Sequence, residues 1–163
     1  MKNDKLHQIN VTYSGKEDRL MLRVTTQSGD EYRIWLTRRF SGLLFRMLEK
    51  EIDKHGGSVS LGSSQKTRQM FREGAFEKQF EPEKTARFPL GKQGFLGFAI
   101  KTKNAGEGNL LLEILPEQGE GVTINLNPSL LYMLHNLLSQ GLMKAEWQKQ
   151  ITASREQDSR QVH

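Results

Sequence analysis

Apolar positions along this chain follow two rhythms, and the pair of rhythms occurs twice. From 20 to 36 they fall at every second residue, Leu20, Leu22 and Val24, then Tyr32, Ile34 and Leu36. That is the period of strands with one buried face. From 40 onward the spacing lengthens to i, i+3, i+4, i+7, i+8 through Phe40, Leu43, Leu44, Met47 and Leu48, the stripe of an amphipathic helix. Ninety positions later the pattern returns without a gap. Leu110, Leu112, Ile114, Val122, Ile124 and Leu126 repeat the alternation, and Leu130, Met133, Leu134, Leu137 and Leu138 repeat the stripe.

Gly29 and Gly119 fall at the same offset in loops of turn formers, QSGD and PEQGEG, so each alternating pair closes into a hairpin. A preceding strand is expected in each copy, around Ile9–Tyr13 and Phe95–Lys103, with one more from Ala86 to Leu90. The expected fold is therefore α+β: tandem β-β-β-α units packed into one domain, with antiparallel sheets and helices covering one face. The domain should span 1–151, with repeats at about 6–54 and 86–142 and a connection over 55–85. Residues 152–163 read as a disordered tail.

The strand-to-helix junction WLTRRF has a mechanical explanation. Thr37 and Asn127 occupy equivalent places, and both suit an N-cap, where a side-chain oxygen accepts an orphan backbone N–H. Pro128 suits the first helical position, so Arg38 is expected at N1 too. The charge is not explained this way, because Arg38 and Arg39 stand where the helix dipole disfavours cations. They either pair with nearby groups or form an anion site with the free N–H groups.

Alternation also assigns the outward face of the first hairpin: Arg19, Met21, Arg23 and Thr25 on one strand, Glu31, Arg33 and Trp35 on the other. Arg23 must lie opposite Arg33 or Trp35, and two facing arginines need an acid or anion nearby. A tryptophan among arginines on an open sheet suits single-stranded nucleic acid, whose bases stack on the ring while guanidinium groups hold phosphate. The other possibility is that residues 64–80, with Met70, Phe71, Phe76 and Phe80, cover this face.

Charge sharpens the contrast between the copies. The net +5 lies in residues 1–80, with 15 Lys/Arg against 10 Asp/Glu, while residues 81–163 hold 9 of each. Segment 19–48 carries six arginines against Asp30 and Glu31; segment 109–138 has no Lys or Arg but has Glu113, Glu117 and Glu120. Such polarity can steer a polyanion to one half or let surfaces of opposite sign meet. Two functions follow. The first is a non-enzymatic module for nucleic acid or another polyanion, using Arg19, Arg23, Arg33, Trp35, Arg38 and Arg39. The second is a protein-interaction or assembly subunit, in a homo-oligomer or with another protein, with Met21, Leu111, Leu115 and Trp147 supplying apolar interface.

Catalytic patterns fail in turn. GSVSLGSS at 57–64 lacks the lysine of a phosphate loop and reads as a plain loop. GKQG at 91–94 reads as a hairpin turn between strands at Phe88–Leu90 and Phe95–Ile100. The four histidines have no ligand spacing, and His135 is expected at a helix rim. Gly141 is expected to cap the second helix. No catalytic residues, metal or cofactor are expected. The absence of cysteine removes disulfides and thiolate ligands. With no signal-like or membrane-spanning run, a cytoplasmic location is expected.

The stretch DEYRIWLTRRF, with the hairpin before it over residues 6–50, resembles a segment of small bacterial proteins carrying EYR-x-WLTRR, which implies a bacterial origin and no activity. In architecture, tandem sheet-then-helix repeats are similar to PUR-type and Whirly-type single-strand binders. Their repeats have four strands before the helix, whereas three are clear in the first copy here.

Overall fold

The computed structural model describes residues 5–65, 67–68 and 86–147. Its elements run β1 (Leu6–Ser14), β2 (Arg19–Thr26), β3 (Glu31–Leu36), α1 (Arg38–Lys54), α2 (Gly57–Gly62), β4 (Phe95–Leu96), β5 (Ala99–Asn104), β6 (Leu110–Leu115), β7 (Val122–Leu126) and α3 (Pro128–Ala145). The fold is α+β. One sheet has the order β1-β2-β3-β4 and the other β5-β6-β7.

Both hairpins pair as their alternation requires. Leu20, Leu22 and Val24 oppose Leu36, Ile34 and Tyr32, while Leu110, Leu112 and Ile114 oppose Leu126, Ile124 and Val122. All twelve are buried, because period-2 burial leaves one register that puts every apolar residue on the core side. The remaining core comes from the helix stripes, Phe40, Leu44, Leu48 and Ile52 of α1 and Leu131, Leu134 and Leu138 of α3.

Thr37 and Asn127 are the N-caps, accepting from Phe40 N at 3.2 Å and Leu130 N at 2.8 Å. Their backbones are extended, and Pro128 is at the helix start. The two helices run antiparallel against each other. Arg38, in the first turn of α1, donates to the Trp147 carbonyl beyond the end of α3 at 3.2 Å. Midway, the rings of Phe45 and His135 stack at 4.6 Å. At the other end, His55 and Pro128 both flank Gly108.

Several local expectations change. Residues 57–62 form the short helix α2 rather than a loop, with Leu61 turned into the core. Gly141 does not cap α3, which continues to Ala145 and ends at Glu146 in the left-handed conformation. Gly141 instead lets α3 lie against the first sheet: a Cβ there would stand 2.9 Å from Val11 Cγ1 and 3.3 Å from a Leu20 methyl. Of Ala86–Leu90, only Arg87 bridges to a strand, beside Asp30. The expected tail at 152–163 lies outside the described residues.

The end of α3 is held by the β1–β2 turn. Trp147 is 3 % exposed; its indole donates to Asp18 Oδ1 at 2.9 Å, and the Tyr13 hydroxyl donates to the same oxygen at 2.7 Å. Tyr13 meets Trp147 edge-on at 6.2 Å. The Trp147 bond first, then the Tyr13 bond, hold the Asp18 carboxyl below the usual carboxylate range, with Arg38 adding to the effect. The same bond to Asp18 raises the Tyr13 hydroxyl.

A carboxyl whose folded pKa is lowered contributes stability above its unfolded value of about 4, and that contribution disappears as pH falls through the folded value. Asp18 sits at φ 50°, which asparagine tolerates. Thermal melts from pH 7 down to pH 2 are therefore expected to fall less steeply at the acid end for Asp18→Asn than for the parent chain. Equal acid slopes would show that this bond does not tie α3 to the turn.

Candidate functional site

The outward face of the first sheet is organised by register. Arg23 lies opposite Arg33, and Met21 opposite Trp35. On β1, Thr12 pairs with Met21 and Asn10 with Arg23. On the far side, β4 runs parallel to β3 and sets Leu96 beside Trp35. Phe95 beside Ile34 turns to the core and Leu96 turns out, 42 % exposed. Two adjacent rows therefore cross the strands: Thr12, Met21, Trp35 and Leu96, then Asn10, Arg23 and Arg33.

The facing arginines have their acid. Glu31, 1 % exposed on the same face, accepts from Arg33 Nε and lies diagonal to Arg23. Arg33 is further fixed by donating to the Lys92 carbonyl at 3.0 Å and by lying 4.9 Å over the Phe88 ring. The Trp35 indole donates to the Gln93 carbonyl at 3.1 Å.

These partners arrive on the segment before β4, which lies along the outer edge of β3. Glu31 N donates to Arg87 O at 2.7 Å and Arg87 N to Gly29 O at 2.9 Å, with an ion pair between Arg87 and Asp30 at 2.8 Å. The chain then arches away through two turns, closed by Gly91 N to Phe88 O and Gly94 N to Gly91 O, and returns at Gly94. A Cβ at Gly94 would lie 2.3 Å from Arg33 O, so this close return to β3 needs glycine. GKQG thus does not close a hairpin; both of its flanks lie along β3.

Between the arch and the β1–β2 turn lies a basin of about 840 Å³, lined by Thr12, Ser14, Glu17, Met21, Arg23, Arg33, Trp35 and Lys92–Gly94. The other end of the face is closed, with Thr25 5 % exposed. Of residues 64–80, proposed from sequence as a cover, 66 and 69–80 lie outside the described residues, and Thr67 donates to Ser129 of α3 at 3.1 Å. Among the described residues, Arg19, Arg23, Arg33 and Lys92 against Glu17 and Glu31 leave an excess of two positive charges on this face.

The remaining expected site residues are elsewhere. Arg38 and Arg39 start α1, which packs on the opposite side of the sheet, and Arg38 is engaged with Trp147 O. Trp147, expected to supply apolar interface, is buried within the chain, and Met21 is 7 % exposed despite pointing outward. Leu111 and Leu115 lie half-buried on the outward face of the second sheet. That face is not simply acidic, because β5 sets Lys101 opposite Glu113 and Lys103 opposite Leu111. Sequence reasoning missed Lys92, Gln93 and Leu96, whose placement depends on a parallel edge contact; it also missed Lys101 and Lys103, whose alternation in AIKTKN was a readable signal.

Among the described residues, no group of three or more His, Cys, Asp or Glu could hold a metal ion. No helix of theirs is long and apolar enough to cross a membrane. No protein-family model, curated protein or solved structure matches this chain.

Glu31 and Arg33 form an ion pair whose carboxylate is almost wholly buried. Arg33→Met is expected to destabilise the fold by about 3 kcal/mol, because it leaves a buried carboxylate without its cation, whereas Glu31→Gln with Arg33→Met should recover most of that loss. Urea unfolding of the two variants makes the comparison. A double variant no more stable than Arg33→Met would show that the pair is not the source of the effect.

Proposed function

We propose that this chain is a non-enzymatic binding module that takes nucleic acid or another polyanion on the outward face of its first sheet. The observation that carries this reading is the basin itself, where Arg23 and Lys92 accompany an Arg33 and a Trp35 already fixed by the arch. Side chains held before a ligand arrives lose less entropy on binding than free ones. Arg19, Arg23, Arg33 and Lys92 stand against Glu17 and Glu31 among the described residues of this face, a cationic excess that an anion would complete.

We further propose that the β1-β2-β3-α1 and β5-β6-β7-α3 units are copies of one duplicated unit. The hairpins keep the same partners at an offset of 90, and Phe45 stacks on His135, its own equivalent under that offset. Contact between equivalent positions is what a two-fold relation between copies produces. In this reading the first copy retains the binding face. Glu113, Thr123 and Asn125 take the places of Arg23, Arg33 and Trp35 in the second, where Lys101 balances Glu113. An assembly role resting on an acidic second face is correspondingly less supported, and the burial of Trp147 removes part of its apolar area.

Fluorescence anisotropy with a labelled 20-nucleotide single strand, with polyphosphate as a second probe, tests the reading at low salt. Binding should weaken as salt rises, and Arg23→Ala with Lys92→Ala should weaken it at least tenfold while the melting temperature changes little. Unchanged affinity in that variant would reject the site. Failure of both probes to bind would reject the function.

A further inference from the structure

We infer that the ligand of this face is an unpaired nucleic-acid strand, laid across the β-strands with bases over Trp35 and Leu96 and phosphates over Arg23 and Lys92. This rests on the polyanion reading and narrows it. Three observations carry it: the order of the rows, the exposure within them and the small charge excess among the described residues.

Side chains of one outward row are spaced by the distance between strands, about 4.8 Å, and neighbouring rows by two residues, about 6.6 Å. The row Thr12, Met21, Trp35 and Leu96 is apolar at three of its four positions, and the next row carries Arg23 and Arg33. A nucleotide has the same division, a flat apolar face set off to one side of a charged backbone. A strand crossing the sheet along the rows satisfies both at once, whereas a strand running parallel to the β-strands would meet apolar and charged positions in turn.

Exposure locates the stacking position. Met21 is nearly buried and so serves as a floor, whereas Leu96 is 42 % exposed and Trp35 is half-buried with its indole N–H turned to Gln93 O. That bond fixes the plane of the ring and leaves stacking as the interaction the ring can still offer. In a duplex the base faces are already stacked on one another, so Trp35 and Leu96 could meet only base edges or backbone. An unpaired strand offers the faces.

The charge of the described residues of this face is small for holding a polyanion by itself. With two phosphates neutralised, at Arg23 and Lys92, log affinity should fall against log salt with a slope of only about −1.4 for a single strand. A base-free polyphosphate would have little else to contribute. Base contact with Trp35 and Leu96 supplies the rest and persists at salt concentrations where phosphate contacts have weakened.

The test compares four probes on the full chain by anisotropy: a 12-nucleotide DNA strand, the RNA of the same sequence, the DNA duplex, and a strand of the same length with abasic sites throughout. The intact single strands should bind about tenfold or more tighter than the abasic strand and the duplex, with DNA against RNA deciding which source is preferred. Trp35→Phe, which keeps a ring, should retain part of that preference and abolish the binding-induced quenching of tryptophan fluorescence, Trp147 being buried elsewhere. Leu96→Ala should weaken intact strands but leave the abasic strand unchanged. Equal affinity for intact and abasic strands would overturn this inference while leaving the polyanion reading standing. Failure of the intact strands, the abasic strand and polyphosphate alike would overturn both.

Discussion

A sheet edge leaves a row of backbone N–H and C=O groups that must find partners or stay in water. At the outer edge of β3 those partners come from the chain that leads into the second half. Arg87 takes the first position and Gly97 N donates to Trp35 O at 2.9 Å at the other end. One residue later Phe98 N donates to Leu115 O, so the same run of chain closes one sheet and begins the next. Between the two anchor points lie more residues than the edge can pair, and the excess rises into the arch that bears Phe88, Lys92 and Gln93 O. The basin is thus a consequence of edge satisfaction, and Gly94 is where the constraint is tightest.

The antiparallel pairing of α1 and α3 explains a charge that the helix dipole alone would disfavour. Arg38 stands in the first turn of α1, yet its guanidinium reaches the carbonyl of Trp147 just past the end of α3. A cation beside carbonyls at a helix C-terminus is favoured by the same dipole that opposes it at an N-terminus. Trp147 carries a second bond in the opposite direction, from its indole to Asp18. Asp18 follows Ser14 and Glu17 in the turn that walls the basin, so the end of α3 and one side of the site share a support.

Much of the frame was legible because burial acts with a fixed period. Alternation over 20–36 and 110–126 identified the inward residues, and the caps Thr37 and Asn127 marked where the period changes. Legibility ended where a position depends on a distant segment. Whether Arg23 faces Arg33 or Trp35 turns on hairpin register, and both choices keep the same faces buried. The two-residue strand Phe95–Leu96 has no periodicity to read, and its parallel partner is about sixty residues away. Apolar spacing identified Trp147 as a residue seeking cover but could not say that the β1–β2 turn supplies it. Gly141 near a helix end suggests a cap by propensity, whereas the close approach of Val11 and Leu20 is a tertiary reason for the same residue.

The outward face of the first sheet also includes a costly feature that the second sheet lacks. Glu31 is removed from water and held by Arg33, whereas the second sheet has Gly121 one position before β7, where a Cβ would lie 2.2 Å from Ile114 O. Burying a carboxylate costs several kcal/mol before its partner offsets it, so such a pair is weak evidence of added stability. Its effect here is directional. Glu31 draws the Arg33 side chain along β3, and Lys92 O and the Phe88 ring hold it there, leaving Arg23 and Trp35 on either side of a fixed guanidinium. A hydrophobic pair would fill the same volume without setting that geometry, so the energy lost to desolvation is better understood as the cost of keeping the face in one arrangement.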